Sequence, residues 1–337
     1  MAKSISLGLL RQGRIRTKNE DNLFVLNTLA KPGQSHDFQF ATSSEDSLQF
    51  YAVSDGMGGG LGELSARRIL QVLDHQRQMI LQGRIRFEFM SFARSYINDA
   101  KQALRHLQMD HQGLSAGSML SLLIIHHDKA YTVSLGTSRI YLYRDGTLYR
   151  MTDDHLDGDP GRLQLTRFVG VSSHQGEIVP ENMTRTILNR GDIFLITSDG
   201  ITHNLEDNDL VACLSDPAAF VNQIRSIQDA AMQKGGRENM ALVGVKIIDP
   251  MIDAQTSDRR KAILDPISGK QTRITQPRAK STKSSIRGDS NHFEENYRYR
   301  WFRPLLIFLV FVLLGLAVGK LLFSLPGWWQ ALVNWLT

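Results

Sequence analysis

The sequence predicts an α+β layered sandwich in which antiparallel sheets are covered by helices. Three observations carry that expectation. Short strand-like runs open the chain, two long helical patterns interrupt them, and strands then resume before one more helix and a last strand. Asp145-Gly146 sits between two apolar runs and marks a tight hairpin that needs positive φ, so those neighbouring strands run antiparallel. Two distant apolar runs end alike, one in Ser54-Asp55-Gly56 and the other in Ser198-Asp199-Gly200, and are expected to lie side by side with both acids at one spot.

In chain order, residues 5–10 and 22–26 read as strands joined by a basic, polar turn over 11–21. Residues 30–47 contain Pro32, Gly33 and a Ser/Thr/Asp cluster and read as a surface loop. Beyond Gly60, Leu64, Ile69, Leu70 and Leu73 recur at roughly helical spacing, and 87–109 repeats that character. Strands are expected at 119–125, 130–135, 140–143 and 147–151. A polar loop, strands at 184–188 and 192–197, a helix over 217–234 and a strand over 241–248 complete this part.

Composition narrows the class. A 337-residue chain with 42% hydrophobic content and few prolines is that of a packed protein, not a disordered one. Cys213 is the only cysteine, which excludes an intrachain disulfide and a thiolate metal cluster. Residues 253–303 hold twelve Lys/Arg against six Asp/Glu and Lys320 adds one more cation, so of the formal +5 the first 252 residues carry a net −2. That balance leaves no general nucleic-acid footprint on the folded part. The basic amino terminus lacks a small-residue cleavage site and reads as a first strand, not a signal peptide.

The carboxy-terminal quarter differs in kind. Residues 253–300 lose periodicity and are dominated by Ser, Thr, Lys, Arg, Gln and Pro, the composition of a linker. Residues 301–326 then supply about 22 mostly apolar positions, close to the ~20 that a bilayer-spanning helix needs. Arg298, Arg300 and Arg303 flank its amino-terminal side, which the positive-inside rule places in the cytoplasm, and Trp328, Trp329 and Trp335 in the 327–337 tail suit the opposite interface. The expectation is a tail anchor in the inner membrane with residues 1–252 as a cytoplasmic catalytic domain.

Chemistry is suggested first by Tyr51-Ala-Val-Ser-Asp-Gly-Met-Gly-Gly-Gly60, a strand that ends in one acid and then sheds its side chains. Such a stretch lets a cation or an anionic group approach Asp55 and the Gly56 carbonyl. Alone, it is an ordinary turn. Arg16-Thr-Lys-Asn-Glu-Asp21 is alone a charged turn, but beside the two Ser-Asp-Gly ends it adds carboxylates and a guanidinium able to grip phosphate by two parallel hydrogen bonds. His126 and His127 are adjacent in a strand and expected on opposite faces, so neither they nor His155, read as structural, enter the candidate metal set.

Taken in order, Arg16 with Asn19-Glu20-Asp21, Asp55-Gly56-Met57-Gly58-Gly59, Gly136-Thr137-Ser138-Arg139-Ile140-Tyr141, Asp154-His155, Ser198-Asp199-Gly200 and Gly235-Gly236-Arg237-Glu238-Asn239 resemble the metal-dependent type 2C protein phosphatases. The match runs over residues 5–248. The resemblance implies a four-layer αββα sandwich of two antiparallel sheets flanked by helix pairs, with two Mn²⁺ or Mg²⁺ ions in a cleft at its edge. It implies that Asp55 bridges the ions, that Glu20 and the Gly56 carbonyl serve one and Asp199 the other, and that Glu238 is a further ligand. Asp21 and Asn239 would support that set, and Arg16 would hold the phosphate. The implied activity is hydrolysis of phosphoserine and phosphothreonine in proteins, opposed to a Ser/Thr kinase.

Four departures from the family pattern bear on activity. Glu238 stands where the family usually has Asp, so weaker ion occupancy is expected there; Thr137 stands where an Asp is associated with a third ion, so none is expected. Residues 156–164 are short where many bacterial relatives carry a helical flap, and Met57 replaces a histidine of animal relatives. The Thr137 and Glu238 changes keep open a non-catalytic phosphoprotein-binding scaffold, and a partner-switch phosphatase acting on a sigma-factor regulator stays open because it shares the fold and chemistry and differs only in its target.

Overall fold

The computed structural model describes residues 1–31, 37–57, 60–159, 162, 164–170, 180–250 and 265–266. The chain divides into two compact units, Met1–Arg278 and Ala279–Thr337. The second unit lies outside the described residues, as do the expected membrane segment 301–326, the tail 327–337 and, apart from Asp265 and Pro266, the linker 253–300. No helix among the described residues is long and apolar enough to cross a membrane.

The chain opens with β1 (Lys3–Arg11), β2 (Asp21–Val25) and the two-residue β3 (Thr28–Leu29). Next come β4 (Asp37–Ser44) and β5 (Leu48–Met57), then the helix pair α1 (Gly62–Leu81) and α2 (Phe89–Asp110). Strands β6 (Gly117–His126), β7 (Lys129–Leu135), β8 (Arg139–Arg144) and β9 (Thr147–Arg150) form a run of hairpins. Three short strands follow, β10 (Leu156–Asp157), β11 (Gln164–Leu165) and β12 (Val169–Gly170). The rest is β13 (Glu181–Ile187), β14 (Ile193–Thr197), α3 (Asp199–Thr202), α4 (Asp207–Ser215), α5 (Phe220–Lys234), β15 (Met240–Asp249) and β16 (Asp265–Pro266).

The larger strands pair into two antiparallel sheets. One runs β4-β1-β15-β14-β8-β9 and the other β16-β13-β7-β6-β5-β2-β3, with β12 paired to β6. Strand alternation sorts the apolar residues into three cores. Along β5, Phe50 and Ala52 pack with Ile69, Leu73, Tyr96 and Leu104 of α1 and α2. Their neighbours Tyr51 and Val53 point the other way, into an inter-sheet core with Ile140, Phe194 and Val243. On the far side Leu7, Leu195 and Leu242 meet Leu210 of α4 and Ile224 and Ile227 of α5. Sheets buried on both faces explain why β5, β6 and β14 read as unbroken apolar runs. The layers are helix, sheet, sheet, helix, as expected.

At Asp145 and Gly146 the φ values are 49° and 78°, so the anticipated positive-φ hairpin is present between β8 and β9. The second helix starts at Phe89, not Phe87, because Glu88 caps it by accepting hydrogen bonds from the Met90 and Ser91 amides at 3.1 and 2.7 Å.

Other expectations need correction. Residues 30–47 are not wholly a loop, since β4 pairs along the length of β1 from Ser44 opposite Ser4 to Asp37 opposite Arg11. It is an edge strand whose Phe38 and Phe40 pack against the inter-sheet core while their neighbours stay polar. The stretch 156–164 is not a plain loop either, since β10 and β11 pair within it. The helices α3 and α4 went unanticipated. Within the presumed linker, Asp265 and Pro266 pair with β13.

Candidate active site

Antiparallel register, not sequence proximity, builds the acid cluster. β2 pairs with β5 so that Asp21 stands directly opposite Asp55. Glu20 precedes Asp21, and its backbone carbonyl accepts the Gly56 amide at 3.1 Å. The other sheet contributes Asp199, where β14 gives way to α3, and Glu238, just before β15. A cleft is lined by Arg16, Glu20, Asp21, Asp55, Gly56, Met57, Met119, Asp199, His203, Glu238 and Asn239. Every predicted site residue therefore lies on one cleft.

Close backbone approach requires glycine at position 56, and the bare Gly62 leaves room for the Glu20 carboxylate. A Cβ on Gly56 would lie 2.0 Å from the Gly62 carbonyl oxygen, and one on Gly62 would lie 2.5 Å from Glu20 Oε1. The first turn of α1 is thus pressed against the Glu20 carboxylate and the Asp55-Gly56 strand end. Gly56→Ala is expected to push this turn away and lower divalent-ion affinity at least tenfold, read by calorimetric titration with Mn²⁺.

Asp21 is buried and accepts a 2.7 Å hydrogen bond from the Ser198 hydroxyl, which in turn accepts the Ala241 amide at 2.9 Å. Ser198 so ties one sheet to the other at the cleft. Burial, with the charges of Asp199 and Glu20 nearby, raises the Asp21 carboxyl to about 7 despite the Ser198 bond. Asp55 is pushed well above the usual carboxylate range by burial first and by Asp21 and Asp199 second.

Asn239 braces the arginine loop. Its Oδ1 accepts the Gly13 amide at 3.2 Å and its Nδ2 donates to the Lys18 carbonyl at 3.0 Å. A Cβ on Gly13 would lie 2.4 Å from the Arg237 and Glu238 carbonyl oxygens, so this contact too requires glycine. Arg16, carried on that loop, donates from Nε to Glu238 Oε2 at 2.8 Å and from Nη2 to the same oxygen. The proposed phosphate ligand and the proposed ion ligand are thus paired with one another. Their side chains are 47% and 35% exposed, and such pairs are worth about 0–1 kcal/mol, so a phosphate or a cation readily separates them.

The Thr137 hydroxyl lies 3.4 Å from Asp199 Oδ2 and 2.9 Å from the Met119 sulfur. A neutral hydroxyl beside Asp199 adds no charge for a third ion. His155 is structural: its Nδ1 accepts the Gly136 amide at 3.0 Å, and its own amide donates to the Gly136 carbonyl at 3.1 Å. His126 and His127 do not point to opposite faces, because His127 leaves the strand with φ 56° and the two rings lie 4.3 Å apart. Sequence reasoning missed His203. Its position four residues after Asp199 would have been the signal had α3 been foreseen.

The donors fit divalent cations. They are carboxylates and a backbone carbonyl, which hard ions prefer, and the buried acids repel one another until a cation lies between them. Among the described residues no three His, Cys, Asp or Glu side chains already close on one point.

At the edges of an αββα sandwich the cleft gathers carboxylates and a backbone carbonyl, the donor types that hard divalent cations favour. Residues 5–161 match the family described as protein phosphatase 2C. The chain is 24% identical over 259 residues to the serine/threonine protein phosphatase PstP of Mycobacterium tuberculosis, covering 72% of this chain and 49% of that protein. A putative protein phosphatase 2C-type protein of Streptococcus pyogenes is 22% identical over 233 residues, covering 63% and 91%. The chain thus spans about half the length of PstP. In fold it is similar to the PstP catalytic domain crystallised with two manganese ions, at a TM-score of 0.57 and 21% identity, covering 73% of this chain and 100% of that one.

Proposed function

We propose that this protein is a metal-dependent protein serine/threonine phosphatase that hydrolyses phosphoserine and phosphothreonine and opposes a Ser/Thr kinase. The observation that carries the reading is the meeting of Asp21 and Asp55 from one sheet with Asp199 and Glu238 from the other beside Arg16. Asp55, Asp199, Glu20, Glu238 and the Gly56 carbonyl would hold two Mn²⁺ or Mg²⁺ ions. Bound there, such ions supply Lewis-acid charge and lower the pKa of water toward neutrality. Arg16 leaves Glu238 to bind the phosphoryl oxygens, neutralising charge that grows in the transition state. Asp21, fixed by Ser198, holds its neighbour Asp55 in place.

The test is release of phosphate from phosphoserine and phosphothreonine peptides by the full chain with Mn²⁺. Turnover that falls at least about a hundredfold in Asp199→Asn supports the enzyme. Failure of the parent chain to turn over at millimolar Mn²⁺ supports a phosphoprotein-binding scaffold.

The membrane reading rests on the composition of residues 301–326. This segment would anchor the protein in the inner membrane with the cleft in the cytoplasm. Deleting 301–337 is then expected to move the protein to the soluble fraction, and its retention in membranes would refute the anchor.

A further inference from the structure

The cleft is lined by acids, yet cations crowd one side of its rim. Arg14, Arg16 and Lys18 fall within five residues of one loop, and Arg237 precedes Glu238 on another. Two residues of chain span at most about 7 Å, so the backbone at Arg14 and Lys18 starts no further than that from Arg16. Backbone contacts bring Arg237 to the same place, since the Arg14 amide donates to the Gly236 carbonyl at 2.8 Å and Gly13 packs on the Arg237 carbonyl. Asn239 clamps the other end of the loop by donating to the Lys18 carbonyl at 3.0 Å. The four cations thus stand on a braced platform.

Arg16 is paired with Glu238, but Arg14, Lys18 and Arg237 are exposed and their side chains form no ion pair among the described residues. The cations just beyond them are matched, Arg11 by Asp229 and Lys234 by Asp209. Ile15, between Arg14 and Arg16, is exposed as well. Unmatched cations beside a phosphate-binding arginine raise the local concentration of anions and steer them in. Arginine grips a carboxylate by paired hydrogen bonds.

We propose that Arg14, Lys18 and Arg237 bind acidic side chains flanking the phosphorylated residue, so that the preferred substrates are phosphoprotein segments rich in Asp and Glu. This rests on the reading of the cleft as a phosphoprotein site. An extended segment advances about 3.3 Å per residue, so an acid within three positions of the phosphorylated residue comes within reach of these cations while the phosphate meets Arg16. They also offset the repulsion that Glu20, Asp199 and Glu238 exert on an anionic chain. Ile15 adds an apolar contact for such a segment. A nucleic acid fits less well, because the cations stand on a domain whose first 252 residues carry a net −2.

The test uses the full chain with Mn²⁺ and phosphothreonine peptides that differ only in carrying Glu, Gln or Lys around the phosphorylated residue. The kcat/KM for the Glu peptide is expected to exceed that for the Gln peptide about tenfold at low salt, and the ratio to shrink toward one as salt is raised. In the triple variant Arg14→Glu, Lys18→Glu and Arg237→Glu the order is expected to reverse in favour of the Lys peptide. Each comparison is a ratio within one protein, so a general loss of activity or stability does not mimic it. Equal kcat/KM for all three peptides in the parent overturns the role of the rim and leaves the phosphatase reading standing. A chain that hydrolyses none of them sinks the phosphatase reading instead, and fluorescence anisotropy with the same peptides then decides the rim. Tighter binding of the Glu than of the Gln peptide supports it, and equal binding overturns it. Tighter binding of a DNA duplex than of the Glu peptide would assign the cations to nucleic acid and overturn it too.

Discussion

Asp55→Asn is expected to remove Mn²⁺-dependent phosphopeptide turnover by at least about a thousandfold and, in metal-free protein, to raise the melting temperature at pH 8. Both results come from one cause. Asp55 is buried opposite Asp21 and close to Asp199, and burial together with these two acids holds its carboxyl well above the usual range. Because the folded-state values of Asp21 and Asp55 lie above their unfolded values, the folded chain binds more protons between about pH 4 and 7. Stability of the metal-free protein therefore falls as pH rises through that window. Removing one charge is worth on the order of 2 kcal/mol, about 4–8 °C in melting temperature for a domain of this size. Mn²⁺ should stabilise the parent more at pH 8 than at pH 5.5 and the variant little at either. An Asp55→Asn variant that melts lower than the parent at pH 8 without metal would show that the acids are already compensated.

The largest stability loss is expected from Asp192→Ala. Asp192 is buried and accepts from Arg144 Nε at 2.7 Å and Nη2 at 2.6 Å, while the same Nη2 donates to the Ile187 carbonyl at 2.8 Å. The Asn189 amide adds a fourth bond, to Asp192 Oδ2, at 2.7 Å. Only 5% of the Arg144 side chain and none of Asp192 is exposed, so truncating the acid strands a guanidinium away from water. The cost of breaking such a pair is about 3–5 kcal/mol, or roughly 6–20 °C. Replacing both residues, Arg144→Met with Asp192→Leu, should restore most of it, because the penalty lies in the unpaired charge. Differential scanning calorimetry on the single and double variants separates these outcomes. A double variant as unstable as the single one would locate the cost in lost packing instead.

The fold was legible wherever burial on both faces forced an apolar run, as in β5, β6 and β14, or one apolar stripe, as in α1 and α2. It was not legible where position in the sheet overrode composition. β4 is an edge strand whose outward residues follow solvent, so Phe38 and Phe40 were lost among Ser, Thr and Asp. α3 and α4 begin at Asp199 and Asp207, acids that suit a helix start but read equally well as turns. The acids of the site were legible because strand ends and glycines announce them. The Arg16–Glu238 pair, the Ser198 bridge and the presence of His203 in the cleft depend on how two sheets and a short helix stack, which no local pattern encodes.

The Ser198–Asp21 bond has a consequence for ion choice. Three of the anionic groups, Glu20, Asp21 and Asp55, go with one sheet and two, Asp199 and Glu238, with the other, so the gap between them is governed by side chains packed midway through the protein. Trimming Phe194, deep in that middle layer, should thus retune preference between Mg²⁺ and the larger Mn²⁺ without touching either ion. In this architecture the thickness of the interior acts as a calliper on the chemistry at its rim.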